Sequence, residues 1–426
     1  VHMNPVLLKP EADNGSQVVV QGRRLGSYRA RDYWGLKPDL MAAVLESFAV
    51  LEGQADLIIV EGAGSAAEIN LRSSDIANMG FAEAAGVPVV LVGDIDRGGV
   101  IANVVGTHAI LPDSDVAQVA GYIINKFRGD VSLFDDGLEV ITNRTGWPSF
   151  GVAPWFDDAH RLPAEDSVGV EEKGRSGAVE ASIRIAVPLF PRIANHDDLD
   201  PLAMEPDVEL TMVRPGEALP GDADLVILPG SKSTIADLEY FRAEGWDVDL
   251  TAHLRRGGHV IGLGGGLQML GTTLSDPDGI EGPSRSVDGL GLLEFETVLT
   301  PEKRLEAVSG VHAASGAAVS GYEMHIGRTT GHALSEPFLQ IDGRDEGAVS
   351  PDQRISATYV HGIFASDEFR QVFLDRIRTR KASGLAYDQT VEATLDALAD
   401  HLEASLDLDG LLRVARARPD IKQVAQ

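Results

Sequence analysis

The chain contains no cysteine among its 426 residues. This absence excludes disulfide bonds, thiolate metal sites and catalysis by a thiol nucleophile. Long apolar runs are missing as well, since none approaches the ~18 residues that a membrane-spanning helix requires. Residues 1–5 are neither basic nor followed by an apolar core, so no secretory signal is expected there. Together these absences predict a cytoplasmic protein.

Positive charge is also scarce. Lysine and arginine together number 36 against 65 aspartates and glutamates, which gives a formal net charge of −29. Nucleic acids and anionic membranes bind basic surfaces, so neither is expected as a partner. Arginine outnumbers lysine, and an acidic, lysine-poor surface suggests the hypothesis of a salt-rich host. Stability that did not rise with molar KCl would contradict that hypothesis.

Short apolar segments alternate with helical patterns along the chain. Those at residues 56–60, 88–92, 119–125 and 149–152 predict strands, and a second series begins at residues 182–187. Such alternation predicts parallel or mixed sheets covered by helices, so the fold class is α/β. The polar residues from 165 to 180 predict a linker. The expected domains are 1–160 and 182–426, joined by a linker at 161–181, with helices ending the second domain.

Polar side chains follow three successive predicted strands of the first domain. Glu61 follows the first, Asp94 and Asp96 follow the second, and Asn125 with Lys126 ends the third. The carboxyl ends of parallel strands share one rim, where carboxylates suit Mg²⁺ beside a phosphate and an asparagine can bind a nucleobase edge. Each cluster alone is compatible with ordinary loop chemistry. Their succession predicts a nucleotide-linked site.

Residues 259–271 (HVIGLGGGLQMLG) predict a strand, a tight glycine turn and a helix. That is the layout of a nucleophile elbow, in which a strained turn presents one side chain above the sheet. Gly264 stands where the attacking side chain would be, and His361 follows a later predicted strand. An elbow with a distant histidine is typical of a Cys/His pair, but a glycine has nothing with which to attack. His361 alone is equally compatible with a hydrogen-bonded histidine at a strand end.

The glycine run has a second, weaker interpretation as a dinucleotide-binding loop of the GxGxxG type. Gly262 and Gly264 fit that pattern, but Leu267 occupies the third position. No acidic residue ending a strand follows at the expected distance.

Two further groups resemble metal ligands. Glu323 and His325 are alternate residues of a predicted strand, so we expect them to share one packed face instead. The acidic cluster at residues 197–200 is predicted to begin a helix, where carboxylates face the positive end of the helix dipole.

Several of these segments resemble one known family. Residues 262–271 are similar to the elbow of class I glutamine amidotransferase domains of the cobyric acid synthase type. Residues 228–232 (LPGSK) resemble the family's oxyanion strand, and residues 321–329 (GYEMHIGRT) resemble a further family block. The family carries cysteine at the position of Gly264 and usually tyrosine at that of Leu267. The resemblance extends over nearly the whole chain, including residues 1–10.

The resemblance implies a glutaminase site in the second domain. His361 would be the base, and the backbone amides of Gly230 and Gly265 would bind the oxyanion. Ile363 stands where many class I relatives carry glutamate, and cobyric acid synthases are similar in working with a Cys/His pair. Because Gly264 replaces the nucleophile, no glutamine hydrolysis is predicted.

The resemblance also implies a first domain of P-loop type, related to dethiobiotin synthetase, that activates a carboxylate with ATP for attack by ammonia. Glu61 would then bind Mg²⁺, Asp94 and Asp96 would order metal or substrate, and Asn125 and Lys126 would bind the adenine nucleotide. The chain has no Gly-Lys dipeptide and therefore no Walker A loop. It begins just after the point where that unit would end, so we expect a truncated chain with negligible ATP affinity.

The implied substrates are adenosylcobyrinic a,c-diamide, ATP, and glutamine or ammonia. The family amidates the b, d, e and g carboxylates of this corrinoid in cobalamin biosynthesis. One alternative is a non-catalytic pseudo-amidotransferase that binds a corrinoid or a partner subunit. Another is a related ligase that acts on cobyrinic acid itself or on a cell-wall precursor. Residues 1–10 and 321–329 favour the cobyric acid branch.

Overall fold

The computed structural model describes residues 2–12, 15–163, 175–176 and 182–417. The chain divides into two compact units. The first comprises Val1–Asp157 with Asp396–Gln426, and the second comprises Asp158–Leu395. Both are α/β, as predicted from the alternating pattern. Among the described residues, no helix combines the length and the apolar character needed to cross a lipid bilayer.

The first unit begins with an antiparallel three-stranded sheet, followed by a long helix and then by a parallel sheet of strand order β4-β5-β6. Its strands are β1 (Val6–Ala12), β2 (Gly15–Val20), β3 (Arg23–Arg29), β4 (Val89–Asp94), β5 (Val119–Phe127) and β6 (Ser149–Pro154). Its first helices are α1 (Ala30–Glu52), α2 (Met79–Ala85), α3 (Val100–Ile110), α4 (Asp113–Val116) and α5 (Asp135–Thr145). Short 3₁₀ helices lie at Ile69–Ser74 and Val131–Phe134, and a third, Asp157–Arg161, lies almost wholly in the second unit. The strands predicted near residues 88, 119 and 149 are therefore confirmed.

The strand predicted at residues 56–60 is not formed. Leu57, Ile59 and Val60 are 48%, 88% and 44% exposed, although the run is as apolar as a buried strand. A parallel strand needs hydrogen-bonding neighbours and a cover on its faces. Within the described residues, the parallel sheet of this unit consists of β4, β5 and β6 alone. Residues 56–60 are apolar enough for a buried strand, but within the described residues they do not pair with this sheet.

The C-terminal residues expected in the second domain contact the first unit instead. Leu406 forms an antiparallel bridge with Gly151 of β6, and the amide of Asp407 donates to the carbonyl oxygen of Phe150 at 2.8 Å. A ring nitrogen of His401 lies 2.9 Å from the carbonyl oxygen of Pro154. Residues more than 240 positions later in the sequence therefore lie beside β6.

The second unit is built on a seven-stranded sheet of order β20-β21-β13-β11-β8-β10-β7. Its strands are β7 (Arg175–Ser176), β8 (Ile183–Pro188), β10 (Val208–Val213), β11 (Leu225–Leu228), β13 (His259–Leu263), β20 (Ala348–Val349) and β21 (Ile355–Thr358). The five strands β10, β8, β11, β13 and β21 pair in parallel. Most of the linker predicted at residues 161–181 lies outside the described residues, and β7, within it, pairs antiparallel with β10.

A second, largely antiparallel sheet lies in the same unit, together with the short pair β9 (Ile193–Ala194) and β12 (Gly230–Ser231). Its strands are β14 (Thr273–Asp276), β15 (Arg285–Asp288), β16 (Phe295–His312), β17 (Ala318–Gly331), β18 (Leu339–Ile341), β19 (Arg344–Glu346) and β22 (Val360–His361). Between Thr358 and Val360 the chain leaves the parallel sheet and joins this one. His361 therefore lies where the two sheets meet.

Among the described residues, seven helices follow the linker, and the residues from Asp396 onward belong to the first unit. They are α6 (Asp200–Ala203), α7 (Thr234–Ala243), α8 (Trp246–Arg255), α9 (Gly265–Leu270), α10 (Asp367–Ile377), α11 (Tyr387–Ser405) and α12 (Leu408–Arg416). Short 3₁₀ helices lie at His196–Leu199, His332–Ser335 and Ile363–Ala365. Trp246, Phe241 and Phe369, from α8, α7 and α10, are completely buried in the core of the second unit.

Candidate active site

The predicted elbow is present between β13 and α9. Gly264 has φ +54° and ψ −110°, a conformation that side chains rarely adopt, and its amide donates to the carbonyl oxygen of Thr358 at 2.9 Å. A Cβ on Gly262 would lie 2.6 Å from the backbone of Gly266, so the glycines allow the helix to pack directly on its strand. This is the strained strand-to-helix turn that a nucleophile occupies in an elbow.

His361 faces the position of the absent side chain. Its Nε2 atom lies 2.7 Å from the point where a Cβ on Gly264 would stand, and its Cε1 atom lies 3.0 Å from that point. The histidine is 2% exposed. The structure thus brings together the two residues that the sequence predicted as base and nucleophile position.

The other ring nitrogen of His361 is held by Asp198. The Nδ1 atom lies 2.6 Å from Asp198 Oδ2, and the amide of Gly362 donates to Oδ1 of the same carboxylate at 2.5 Å. Asp198 lies in the 3₁₀ helix that begins at His196, so the acidic cluster does begin a helix, as predicted. The sequence did not predict the contact with His361, since the two residues stand 163 positions apart.

Tyr322 supports the imidazole from one face. The two rings stack with centroids 5.6 Å apart and planes inclined by 26°. Asn195 donates to the Tyr322 hydroxyl at 2.8 Å, and the Asp197 carboxylate lies 3.5 Å from the same oxygen. Burial is the largest cause that raises the pKa of Tyr322 above its ordinary value, so this hydroxyl stays protonated and neutral.

Opposing effects set the charge of His361. Burial by itself lowers the pKa of the ring, but the carboxylates of Asp198, Asp197 and Glu346 outweigh burial, and the pKa is raised above its ordinary value. Glu346 is itself buried, and burial raises its pKa to about 7. The histidine is therefore a stronger base than a free imidazole.

Both predicted oxyanion positions lie beside Gly264. The Cα of Gly230 is 3.8 Å from the Cβ point on Gly264, and a Cβ on Gly265 would lie 3.0 Å from the amide nitrogen of Ser231. The Thr234 hydroxyl, also 3.0 Å from that second point, donates to Gln268 at 3.0 Å and ties the start of α7 to α9. The predicted roles of the Gly230 and Gly265 amides remain proposals.

Glu323 and His325 contact each other, as expected for two residues on one face of β17. His325 Nε2 lies 3.1 Å from Glu323 Oε1, and the His325 ring stacks on Tyr359 with centroids 3.9 Å apart. Glu323 is also paired with Arg304 and Arg344. Glu323 is thus a buried carboxylate held by two partly exposed arginines and by His325.

In the first unit, the ends of β4 and β5 bring Asp94 and Asp96 next to two cations. Lys126 Nζ lies 2.9 Å from Asp94, and Arg128 lies 2.7 Å from Asp96. The hydrogen bond from Lys126 holds the pKa of Asp94 below its ordinary value. Asn125 accepts from the amide of Lys126, whose φ of +64° is unusual for a side-chain-bearing residue.

Glu61 does not join this cluster. It follows the segment that forms no strand and is exposed. Among the described residues, no group of three or more His, Asp or Glu side chains is arranged to hold a metal ion. The described residues therefore do not assemble a Mg²⁺ site from Glu61, Asp94 and Asp96, and these roles remain predictions.

Comparison with known proteins gives two family matches. Residues 184–369 match the CobB/CobQ-like glutamine amidotransferase domain, and residues 38–161 match an AAA domain. Curated relatives match the chain nearly throughout. The cobyric acid synthase of Jannaschia sp. (strain CCS1) is 59% identical over 412 residues, which cover 97% of this chain and 84% of that protein. The cobyric acid synthases of Rhodobacter capsulatus and Brucella anthropi are each 59% identical over 414 residues, covering 97% of this chain and 85% of theirs.

The chain belongs to the cobyric acid synthase family.

The two family matches fall on different parts of the chain. Cobyric acid synthases are ATP-dependent, glutamine-hydrolysing amide ligases of cobalamin biosynthesis. The amidotransferase match contains Asp198, Gly230, Gly264 and His361, whereas the AAA match contains the Asp94–Lys126 pair. The elbow with Gly264 and the facing His361 therefore both lie within the amidotransferase match.

Proposed function

We propose that this chain is an amide ligase that acts on the b, d, e and g carboxylates of adenosylcobyrinic a,c-diamide and takes its nitrogen from ammonia instead of glutamine. The family membership supports the ligase reaction. The use of ammonia instead of glutamine is inferred from the elbow, because His361 faces a residue with no side chain there. Glutamine hydrolysis in this class needs a nucleophile whose proton the base removes. We further propose a cytoplasmic location.

The first unit is the proposed site of carboxylate activation. Asn125 and Lys126, near the end of β5, would contact the nucleotide. Asp94 ends the neighbouring strand β4, and Asp96 follows it. Because Asp94 and Asp96 are each paired with a cation, no catalytic step is assigned to Mg²⁺. The missing Gly-Lys dipeptide removes the amides and the lysine that cradle phosphates in a Walker A loop. We expect residues 1–426 by themselves to bind ATP weakly, and the test below therefore supplies ATP at millimolar concentration.

Mass spectrometry tests this proposal directly. The chain is incubated with adenosylcobyrinic a,c-diamide, MgCl₂ and millimolar ATP, with glutamine in one tube and ammonium in the other. We expect amidated corrinoid with ammonium and none with glutamine. The variant His361→Ala serves as the control in both tubes, since it removes the base without touching the first unit.

Two results would contradict the proposal at different points. Amide formation from glutamine above the level of His361→Ala would show that the elbow works without a side chain at residue 264. A corrinoid left unmodified by ammonium would show that the ligase half itself does not act on this substrate.

A further inference from the structure

The imidazole of His361 is held by an edge contact and by a stacked ring, although no nucleophile faces it. Both oxygens of Asp198 are engaged, one by the ring Nδ1 atom at 2.6 Å and the other by the amide of Gly362 at 2.5 Å. Tyr322 stacks on the ring, and the Asp198 and His361 side chains are each 2% exposed. The ring orientation is thus built into the fold independently of residue 264.

This geometry fixes one tautomer of the histidine. A carboxylate accepts a hydrogen bond and cannot donate one, so the proton of the neutral ring lies on Nδ1. The lone pair then lies on Nε2, the atom that faces Gly264. Once the ring takes up a proton from a nucleophile, the adjacent carboxylate stabilises the imidazolium. A histidine that acts as a general base needs both the fixed tautomer and the stabilised imidazolium, and the Asp198 carboxylate provides both.

The residue two positions after the histidine cannot take this part. Ile363 is completely buried and has no polar atom in its side chain. The carboxylate comes from a different segment, the 3₁₀ helix that follows β9. β9 in turn pairs with β12, where Gly230 faces Ala194. One short segment therefore positions both the base and a proposed oxyanion residue.

We propose that Asp198 is the positioning residue of this site, a carboxylate that orients the His361 ring and stabilises its protonated form. The inference rests on the proposed role of His361 as the base. Three other ionisable groups lie around the ring, namely Asp197, Glu346 and Tyr322. Asp197 carries the same charge as Asp198, but its carboxylate lies against the Tyr322 hydroxyl. Asp197→Asn is therefore the matched control.

The absence of cysteine makes the test unambiguous. The substitution Gly264→Cys places a single thiol in the full chain, opposite His361 Nε2. A thiol beside a charged imidazole forms a thiolate well below its ordinary pKa of about 8.5. The rate of alkylation by iodoacetamide, followed as a function of pH, reports that thiolate.

We expect Gly264→Cys to be alkylated readily at pH 6. Adding Asp198→Asn should slow alkylation at about pH 6 roughly tenfold or more and move the profile towards that of a free thiol. Adding Asp197→Asn should change it by less than about threefold, and Asp198→Glu, which keeps the charge, should restore part of the loss. Superimposable profiles with and without Asp198→Asn would overturn the proposal.

A second measurement separates this proposal from the proposed function and from simple misfolding. Nitrogen NMR of ¹⁵N-histidine in the unaltered chain reports which ring nitrogen of His361 carries the proton. We expect the proton on Nδ1 in the parent chain and in Asp197→Asn, and a mixture in Asp198→Asn. A mixture already present in the parent chain would refute the role of Asp198. If the ring is ordered as expected but Gly264→Cys hydrolyses no glutamine, the assignment of His361 as the base fails instead.

Discussion

The Nε2 atom of His361 lies 2.7 Å from the point where Gly264 would carry a Cβ atom. Ordinary van der Waals contact to a carbon begins near 3.4 Å. The ring therefore stands partly within the volume that a side chain at residue 264 would need. A nucleophile could be accommodated only if the ring moved away from residue 264, and Asp198 and Tyr322 limit that movement.

The substitution Gly264→Cys should restore glutamine hydrolysis. The thiol would face Nε2 of a base already oriented by Asp198, so we expect ammonia release at least roughly 100-fold above the parent chain. The φ of +54° and the close ring predict a loss of about 1–3 kcal/mol in unfolding free energy. Coupled assay of ammonia and a urea titration measure the two effects.

The control for this substitution is Gly264→Ala, which adds the Cβ without a thiol. It should lose similar stability and gain no activity. Activity in the alanine variant would mean that water attacks with His361 as its base, and the nucleophile assignment would be wrong.

Asp198→Asn should reduce stability most at acid pH. Burial alone would lower the pKa of His361, but Asp198 and its neighbouring carboxylates raise it above the ordinary value of about 6.5. The folded chain then binds this proton more tightly than the unfolded chain, so the stabilisation is fully present below about pH 6.5. It is lost as the pH rises through the folded-state pKa. Urea titrations over a pH series should show a parent-to-variant difference that shrinks with rising pH, whereas an offset that does not vary with pH would argue against a charge effect.

Arg370→Met should be strongly destabilising. The guanidinium is completely buried and bonds to Glu205 at 2.7 Å and to the carbonyl oxygen of Phe364 at 2.7 Å. Removing one member of a buried ion pair costs about 3–5 kcal/mol because the other charge loses its partner. The control is Arg378→Met, whose half-exposed pair with Asp224 should contribute under about 1 kcal/mol. Equal shifts of the urea midpoint would mean that Arg380 compensates for Arg370 at Glu205.

Calorimetric titration of the chain with ATP and MgCl₂ should show no binding in the micromolar range. No Gly-Lys dipeptide is present to form the loop that cradles the phosphates. A micromolar dissociation constant would contradict this expectation. The variant Asn125→Ala would then show whether the nucleotide occupies the predicted rim of the first unit, since loss of affinity is expected only in that case.

Local pattern was sufficient for much of the fold. The apolar runs that became β4, β5 and β6 are found within a few residues of the predicted positions, because each has at least one neighbouring strand with which it pairs. The run at residues 56–60 is equally apolar and forms no strand. A strand depends on its partners as much as on its own sequence, and that dependence is invisible in a local pattern.

The candidate active site, like the fold, could be predicted from the sequence only in part. Gly264 and His361 were predicted because an elbow and a strand-end histidine have local signatures. Asp198 has none, because its role arises only when the 3₁₀ helix after β9 meets β22. Its acidic neighbours at 197 and 200 make the cluster conspicuous, yet only the tertiary fold distinguishes the one carboxylate that contacts the ring.

The bridge between Gly151 and Leu406 has a consequence for the order of events during synthesis. Domains emerging from a ribosome usually fold in sequence, beginning with the N-terminal one. Here the second unit is a continuous stretch, Asp158–Leu395, whereas the first needs residues from Asp396 onward. All residues of the second unit are therefore synthesised before Leu406, which pairs with β6 of the first unit, becomes available. The first unit can thus be completed only after the second unit has been synthesised.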